Sequence, residues 1–213
     1  MSATRLYAPF KRTADVVTAA MLLLVLSPLL LLASLAIKLT SRGPLLFTQD
    51  RVGRGGRRFR VLKFRTMRGG RRPDPAELVP LDHPEITPVG RVLRRTKIDE
   101  LPQLLNVLVG DMSIVGPRPT LSEQVEQYDD FERRRLEVRP GCTGLAQVNG
   151  NTALPWPERI KWDVFYVNRY SPWLDAWILL KTVAVIVAGE RRFARRLDDA
   201  RAPGPTDDDS RPG

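Results

Sequence analysis

The chain has 213 residues, of which 43% are apolar, and 34 Lys and Arg against 24 Asp and Glu give a formal net charge of +10. This length predicts one domain with a packed core. The chain has a single cysteine, Cys142, so an internal disulfide is excluded. It also has only one histidine, His83, and one Cys with one His are too few ligands for a Cys/His zinc site. Any metal is therefore expected on carboxylates, and the charge predicts an anionic partner: nucleic acid, a membrane surface or a phosphorylated substrate.

The first predicted element is a membrane segment at residues 16–37, whose 22 residues are almost all apolar. About 20 such residues cross a hydrocarbon core. Pro28, preceded by Ser27, removes a helix hydrogen bond at the midpoint, so each half is about 16 Å long, half of a bilayer. Cations flank both ends, whereas a single span would place one cationic flank on the translocated side. A re-entrant hairpin fits these facts, and a kinked span remains open.

The strongly basic part of the chain follows. Residues 51–72 contain ten Lys and Arg and no acid, interleaved with apolar residues. Together with residues 45–49 they predict an antiparallel β-hairpin that turns at residues 53–56. The alternative is a disordered basic arm. An ordered hairpin with so many cations implies an anionic surface or ligand.

The rest of the chain predicts helices joined by polar turns. Residues 71–88 are predicted as a surface loop or short helix, and residues 123–139 as an exposed helix. Residues 173–188 predict either an amphipathic helix on the membrane interface or a core helix. Further predicted segments are helices at 98–108 and 160–170, a turn region at 141–151, and a disordered polar tail at 190–213.

Two adjacent carboxylates, Asp99 and Glu100, follow a run of cations and begin an apolar helix. Thr96 to Asp99 matches a helix-capping pattern, which accounts for one carboxylate. Alternatively, a carboxylate among guanidinium groups stays ionised, as a nucleophile or Mg²⁺ ligand requires, and the same cations would hold phosphate. The residues alone leave both interpretations open.

Three longer motifs carry a resemblance to the bacterial sugar transferases, also called monotopic phosphoglycosyl transferases. They are KFRTM at 63–67, DELPQ at 99–103 and GDMSIVGPRP at 110–119. The resemblance runs from Lys11 to Val187 and includes the Ser27–Pro28 break. It implies transfer of a phosphosugar from a nucleotide diphosphate sugar, usually a UDP-sugar, to a polyprenyl phosphate such as undecaprenyl phosphate, with release of UMP. Such a reaction starts exopolysaccharide, capsule, O-antigen or glycoconjugate assembly at the cytoplasmic face of the bacterial inner membrane.

The resemblance also implies roles for individual residues. Asp99 matches the nucleophile that forms a covalent phosphosugar intermediate, and Glu100 matches its partner, with both carboxylates associated with Mg²⁺. Lys11 and Arg12 are expected to pair with lipid phosphates, each contributing about 1 kcal/mol near an anionic leaflet. The positions implied to hold phosphate or nucleotide groups are Lys63, Arg65, Arg94, Arg118 and Asp163.

The predicted architecture is α+β, mainly α with a short antiparallel β-hairpin. It comprises a re-entrant membrane helix-break-helix at 1–40, a cytoplasmic transferase domain with interfacial amphipathic helices at 41–189, and the tail, in the minimal catalytic form of the family. The expected partners are a nucleotide sugar, a polyprenyl phosphate and membrane lipids. Nucleic acid is not expected, because no recognition helix or aromatic RNA-binding pattern is present. An inactive scaffold is disfavoured by the intact Asp99, Glu100, Lys63 and Arg118.

Overall fold

The computed structural model describes residues 3–68 and 79–199, so predictions made for residues 69–78 and 200–213 lie outside the described part. The described chain is mostly helical with two small sheets, which agrees with the predicted α+β class. The helices are α1 Ala3–Val25, α2 Ser27–Thr40, α3 Pro88–Arg95, α4 Gln103–Val109, α5 Ser122–Glu126, α6 Asp130–Arg133, α7 Leu145–Val148, α8 Trp156–Arg169 and α9 Pro172–Ala188. The strands are β1 Leu46–Val52, β2 Arg58–Phe64, β3 Ser113–Val115 and β4 Gly141–Thr143.

Helices α1 and α2 form a bent pair, with an angle of 61° between them. Pro28 has no N–H to donate to the Leu24 carbonyl, and the Ser27 hydroxyl donates to that carbonyl at 2.8 Å instead. The predicted break at Ser27–Pro28 is therefore confirmed. Within the described residues no single helix has the length and apolarity to cross a membrane, although the bent pair together has both.

The bent pair is fixed to the rest of the domain through α1. The guanidinium of Arg12 donates to the carbonyls of Val107 and Leu108 at the end of α4, at 2.6 and 3.0 Å. Asp15 is buried and accepts hydrogen bonds from the Ser113 hydroxyl and the Ile114 amide of β3. The first helix of the bent pair, α1, is thus part of the folded domain.

Strands β1 and β2 form the predicted antiparallel hairpin, with Leu46 opposite Phe64 and Val52 opposite Arg58. Gly55 and Gly56 adopt φ of 64° and 79° in the turn, a conformation that favours glycine. At the turn end of the β-hairpin, the Val52 amide donates to the carbonyl of Thr120, in the loop after β3, at 2.8 Å. This contact brings the hairpin beside the loop that carries Arg118.

The main core lies between α1, α4, α7, α8 and α9 and encloses the parallel pair β3 and β4. Its largest fully buried side chains include Trp162, Tyr166, Met112, Leu145 and Ile178. Helix α9 buries one side and exposes apolar side chains on the other, so it combines features of the two predicted alternatives.

The structure corrects two sequence-based boundaries. Residues 123–139 do not form one exposed helix, because Asp129 begins a new helix, α6, by accepting a hydrogen bond from the Glu132 amide at 2.7 Å. Residues 190–199, which the sequence analysis assigned to the polar tail, pack against the domain. Phe193 and Leu197 pack against the core, and Trp162 Nε1 donates to the Arg195 carbonyl at 2.9 Å.

Candidate active site

Three segments far apart in the sequence meet at the carboxylate of Glu100. Lys63, near the end of β2, donates from Nζ to Oε1 at 2.7 Å, and Arg118, in the loop after β3, donates from Nη2 to the same oxygen at 2.7 Å. Glu100 ends a short 3₁₀ turn, Ile98–Glu100, which connects α3 to α4 and also carries Asp99. The structure therefore brings four of the predicted site residues together.

The charges in this cluster stabilise one another. Burial raises the pKa of Glu100, but the charges of Arg118 and Lys63 outweigh it and hold that pKa well below its usual range. Burial lowers the pKa of Lys63, and the charge of Glu100 opposes the change. Glu100 is thus ionised and holds two cations side by side at the edge of the site.

Asp99 differs from Glu100 because no described residue places a cation in direct contact with it. Its side chain is buried, and Oδ1 has no hydrogen-bond partner among the residues that the structure describes. Burial and the charge of Glu100 raise the pKa of Asp99 to about 6. A buried, unpaired carboxylate oxygen costs free energy unless a ligand or reaction uses it.

The capping interpretation of Thr96 is wrong. Thr96 follows the last residue of α3, and its hydroxyl donates backwards to the Val92 carbonyl at 2.8 Å. Lys97 then adopts φ of 59°, which reverses the chain and leads into the turn that presents Asp99. The two carboxylates therefore follow a helix end with a sharp reversal, and they lie in a separate turn before α4.

Helix α3 is held against the end of β2. Thr87 caps its first turn by accepting a hydrogen bond from the Gly90 amide at 2.8 Å, and a Cβ at Gly90 would overlap the backbone of Thr66. Arg94 donates to the Thr66 hydroxyl at 2.8 Å, and its charge lowers the pKa of Asp99. Arg94 thus lies close enough to Asp99 for its charge to act on that carboxylate.

Arg65 and Asp163 both contact other residues of the protein, although Nε and Nη1 of Arg65 are buried without a hydrogen-bond partner among the described residues. Arg65 is buried and donates from Nη2 to the carbonyl and hydroxyl of Ser41, at 2.8 and 2.9 Å, which ties β2 to the end of α2. Asp163 pairs with the buried Arg135 at 2.5 Å. Arg135 also donates to the backbone carbonyl of Arg118 at 3.0 Å, so this pair supports the Arg118 loop from behind.

Lys11 and Arg12, predicted to pair with lipid phosphates, also have protein partners. Lys11 Nζ lies 2.5 Å from Oδ2 of Asp175 on α9. Arg12 makes the carbonyl contacts at the end of α4 described above. In the structure the two charged groups join elements of the domain, which differs from the role suggested by the sequence.

Comparison with known proteins identifies the family. A family described as "Bacterial sugar transferase" matches residues 6–189. The chain belongs to this family. The matched range contains every residue of the Glu100 cluster, and the protein is accordingly a sugar transferase.

Three relatives illustrate the match. The chain is 46% identical to the UDP-glucose:undecaprenyl-phosphate glucose-1-phosphate transferase of Caulobacter vibrioides, over 86% of this chain and 72% of the relative. It is 43% identical to the UDP-N-acetylgalactosamine-undecaprenyl-phosphate N-acetylgalactosaminephosphotransferase of Aeromonas hydrophila, over 86% of this chain but only 45% of that relative. An uncharacterized sugar transferase of Bacillus subtilis is 42% identical, over 84% and 88% of the respective chains.

The structure brings a further cation, Arg51, near Arg118 and Glu100, and the sequence analysis did not single it out as a site residue. The register places Phe47 opposite Lys63, and Arg51 lies four residues further along β1 on the same face. Arg51 donates to the Gln49 amide oxygen at 2.6 Å and has no carboxylate partner among the described residues. Burial lowers its pKa to about 10, and the neighbouring Arg118 charge acts in the same direction. Side chains alternate between the two faces of a strand, so pairing the two predicted strands would have placed Arg51 on the same face as Lys63.

Of the two carboxylates, that of Asp99 would suit a Mg²⁺ ion that also binds phosphate oxygens. The described residues contain no group of three or more His, Cys, Asp or Glu that could hold a metal. Mg²⁺ in phosphoryl-transfer sites needs only one or two carboxylates, because water and phosphate oxygens complete its shell. The Asp99 carboxylate, which has no ion pair among the described residues, suits that arrangement, whereas both oxygens of Glu100 already accept from cations.

Proposed function

We propose that this sugar transferase moves a sugar phosphate from a UDP-sugar to undecaprenyl phosphate through a covalent intermediate on Asp99. The observation that carries the proposal is the buried, unpartnered Oδ1 of Asp99 beside a row of cations organised by Glu100. The names of the Caulobacter and Aeromonas relatives support the donor and acceptor classes.

In the first half-reaction, Oδ1 of Asp99 attacks the phosphorus that carries the sugar. The bond from that phosphorus to the oxygen bridging the two phosphates breaks, and UMP leaves with the bonding electron pair. In the second half-reaction, a phosphate oxygen of undecaprenyl phosphate attacks the same phosphorus, and the Asp99 carboxylate leaves. A stored phosphosugar allows the water-soluble donor and the lipid acceptor to use the site in turn.

The cations around Glu100 would bind the donor and stabilise the charge on the transferred group. Lys63 and Arg118 are held 2.7 Å from one carboxylate oxygen, so their positions are fixed before substrate arrives. Arg51 adds a cation on the same side of the hairpin. Mg²⁺ held by the Asp99 carboxylate together with the donor phosphates would neutralise further phosphate charge.

The bent pair of α1 and α2 is proposed to enter and leave the cytoplasmic leaflet of the bacterial inner membrane. Large apolar side chains are exposed along α1 and α2, and α9 adds a further exposed apolar side with Trp173 and Val187. Because the phosphate of a polyprenyl lipid lies at the interface, this attachment would place the lipid beside the active site. The product would start assembly of a surface polysaccharide or other glycoconjugate.

Mass spectrometry of the intact protein tests the nucleophile. Incubation with Mg²⁺ and a panel of donors (UDP-glucose, UDP-galactose and UDP-N-acetylgalactosamine) should give a mass increase equal to one phosphosugar and a stoichiometric release of UMP. Asp99→Asn should give neither, whereas Asp50→Asn, at an exposed carboxylate of the hairpin, should behave as the unaltered protein. Full turnover by Asp99→Asn would contradict the covalent mechanism.

A further inference from the structure

Two residues other than glycine have a positive φ in the described chain, Lys97 at 59° and Asn151 at 43°. Side chains disfavour this conformation, so it persists only where the surrounding structure holds it. Lys97 directly precedes the 3₁₀ turn of the candidate active site, and Asn151 begins another 3₁₀ turn, Asn151–Ala153. Both turns are therefore expected to have a partner that stabilises them.

That partner is Glu190. Its Oε1 accepts from Lys97 Nζ at 2.9 Å, and its Oε2 accepts from the hydroxyl of Thr152, next to Asn151, at 3.2 Å. The Glu190 side chain is 22% exposed, so the contact with Lys97 is partly shielded from water. One carboxylate thus joins the two left-handed turns.

The backbone of Glu190 is fixed independently of these contacts. Residues 190–199, named here the C-terminal strap, follow Gly189, whose φ of 85° lets the chain leave α9. The Arg195 amide donates to the Asn149 carbonyl at 2.9 Å, Trp162 donates to the Arg195 carbonyl, and Phe193 packs against the core. The strap is therefore anchored before its carboxylate reaches Lys97.

We propose that Glu190 is a positioning residue, which holds Lys97 in its left-handed conformation and so fixes the turn that presents Asp99. This inference rests on the proposed function, in which Asp99 is the nucleophile. Without the Glu190 carboxylate, Lys97 would relax towards negative φ. Because Lys97 lies two residues before Asp99, this change would rotate the turn that carries the reacting carboxylate. Glu190 also lies just outside the matched range of the family, which ends at residue 189.

The rate of phosphosugar adduct formation in a single turnover tests the proposal, at pH 8 and with saturating donor. Glu190→Gln should slow this step about tenfold, because small misplacements of a reacting group cost rate, while the donor concentration for half-maximal rate stays unchanged. Asp198→Asn is the matched control, since Asp198 lies on the same strap and contacts Lys161 at 3.1 Å. It should keep the unaltered rate, and thermal unfolding of both variants checks that they are folded.

Two substitutions of Lys97 separate backbone conformation from charge. Lys97→Met and Lys97→Gly both remove the contact with Glu190, but glycine adopts positive φ without strain. Lys97→Met should therefore be slowed like Glu190→Gln, whereas Lys97→Gly should stay within a few-fold of the unaltered rate. In the Lys97→Gly background, Glu190→Gln should cause no further loss.

Each contrary result has a distinct meaning. An unaltered rate in Glu190→Gln, equal slowing by Lys97→Met and Lys97→Gly, or a full additional loss in the double variant would overturn the positioning role. Should Glu190→Gln fail to fold, the comparison of the two Lys97 variants decides the question with the strap intact. Adduct formation by Asp99→Asn would instead overturn the proposed function.

Discussion

The ionisation of Asp99 sets the pH range in which its carboxylate can act as a nucleophile. Because burial and Glu100 raise its pKa to about 6, the carboxyl group is largely protonated at pH 5 and ionised at pH 8. The rate of adduct formation from donor alone should therefore rise with pH, with a midpoint near 6, and level off above about pH 7.5. The donor half-reaction is the correct measurement, since a polyprenyl phosphate has its own second pKa of about 6.

A variant of Arg94 identifies the group that titrates. The Arg94 charge lowers the pKa of Asp99, so Arg94→Gln should move the midpoint to higher pH. Arg91→Gln, on the same helix and with its guanidinium donating to the exposed Leu81 carbonyl, should leave the midpoint in place. A midpoint that does not respond to Arg94→Gln would assign the titration to another group.

For single residues, the sequence predicted which residues belong to the site better than it predicted where their side chains point. The family resemblance assigned Lys63, Asp99, Glu100 and Arg118 to one site, and the structure brings these residues together. Lys63 and Arg65 would share a face in a continuous strand, but β2 ends at Phe64, and Arg65 turns to Ser41. No pattern in the sequence indicates where the alternation stops, because that depends on contacts with α2 and α3.

Among the elements, the α1–α2 bend is the one most directly encoded in the sequence. Proline removes the donor to the Leu24 carbonyl, and Ser27 compensates, so the break requires only two adjacent residues. The segment 123–139, predicted as one helix and divided in the structure, is the opposite case. Its charged pattern suits one exposed helix, but Asp129 caps a second helix and Arg135 is drawn into the interior by Asp163, Tyr128 and the Arg118 carbonyl.

Substitution of Pro28 tests the re-entrant proposal. Pro28→Leu restores an N–H for the Leu24 carbonyl and removes the clash with the preceding turn, so α1 and α2 should join into one straighter helix. A joined helix is long enough to cross the membrane, since about 20 residues suffice. In intact cells, a cysteine introduced at Ser2 should then become reactive towards an impermeant thiol reagent, whereas it should be protected when Pro28 is present.

The labelling comparison needs a protein in which the introduced cysteine carries the only thiol that can react. Cys142 is half-buried, and Cys142→Ser removes it. Ser34→Leu, also on α2 and away from the break, is a suitable control and should leave the Ser2 thiol protected. Labelling of that thiol with Pro28 in place would show a span and contradict the re-entrant arrangement.

At the scale of the whole molecule, a buried polar network around Asp175 joins α1 of the bent pair to the rest of the domain, in addition to the Arg12 and Asp15 contacts. Oδ2 of Asp175 accepts from Lys11 and Tyr7 of α1 at 2.5 and 2.9 Å, and its Oδ1 accepts from Tyr166 of α8 at 2.7 Å. In this network the Lys11 ammonium group, which the sequence analysis assigned to a lipid phosphate, contacts a carboxylate of the protein. It also sets how the bent pair, and any membrane that holds it, is oriented relative to Glu100.

Removing the charge of Asp175 should therefore weaken the whole assembly. Loss of one partner from a buried ion pair typically costs about 3–5 kcal/mol, which predicts a fall in Tm of roughly 10 °C for Asp175→Asn. Adding Lys11→Met should recover part of that loss, because no buried ammonium group is then left without its carboxylate. Asp50→Asn, which breaks the exposed 3.7 Å contact with Arg60, should shift Tm by about 2 °C or less.

Catalysis by Asp175→Asn distinguishes a link between the two parts from general support of the fold. Below its Tm, this variant should still form the phosphosugar adduct from donor at close to the unaltered rate, because Asp175 does not contact the Glu100 cluster. Transfer from the adduct to undecaprenyl phosphate in membranes should be slower, since that step depends on how the bent pair of α1 and α2 aligns the lipid with Asp99. Equal slowing of both half-reactions would show that the network supports the active site itself and does not serve to align the membrane.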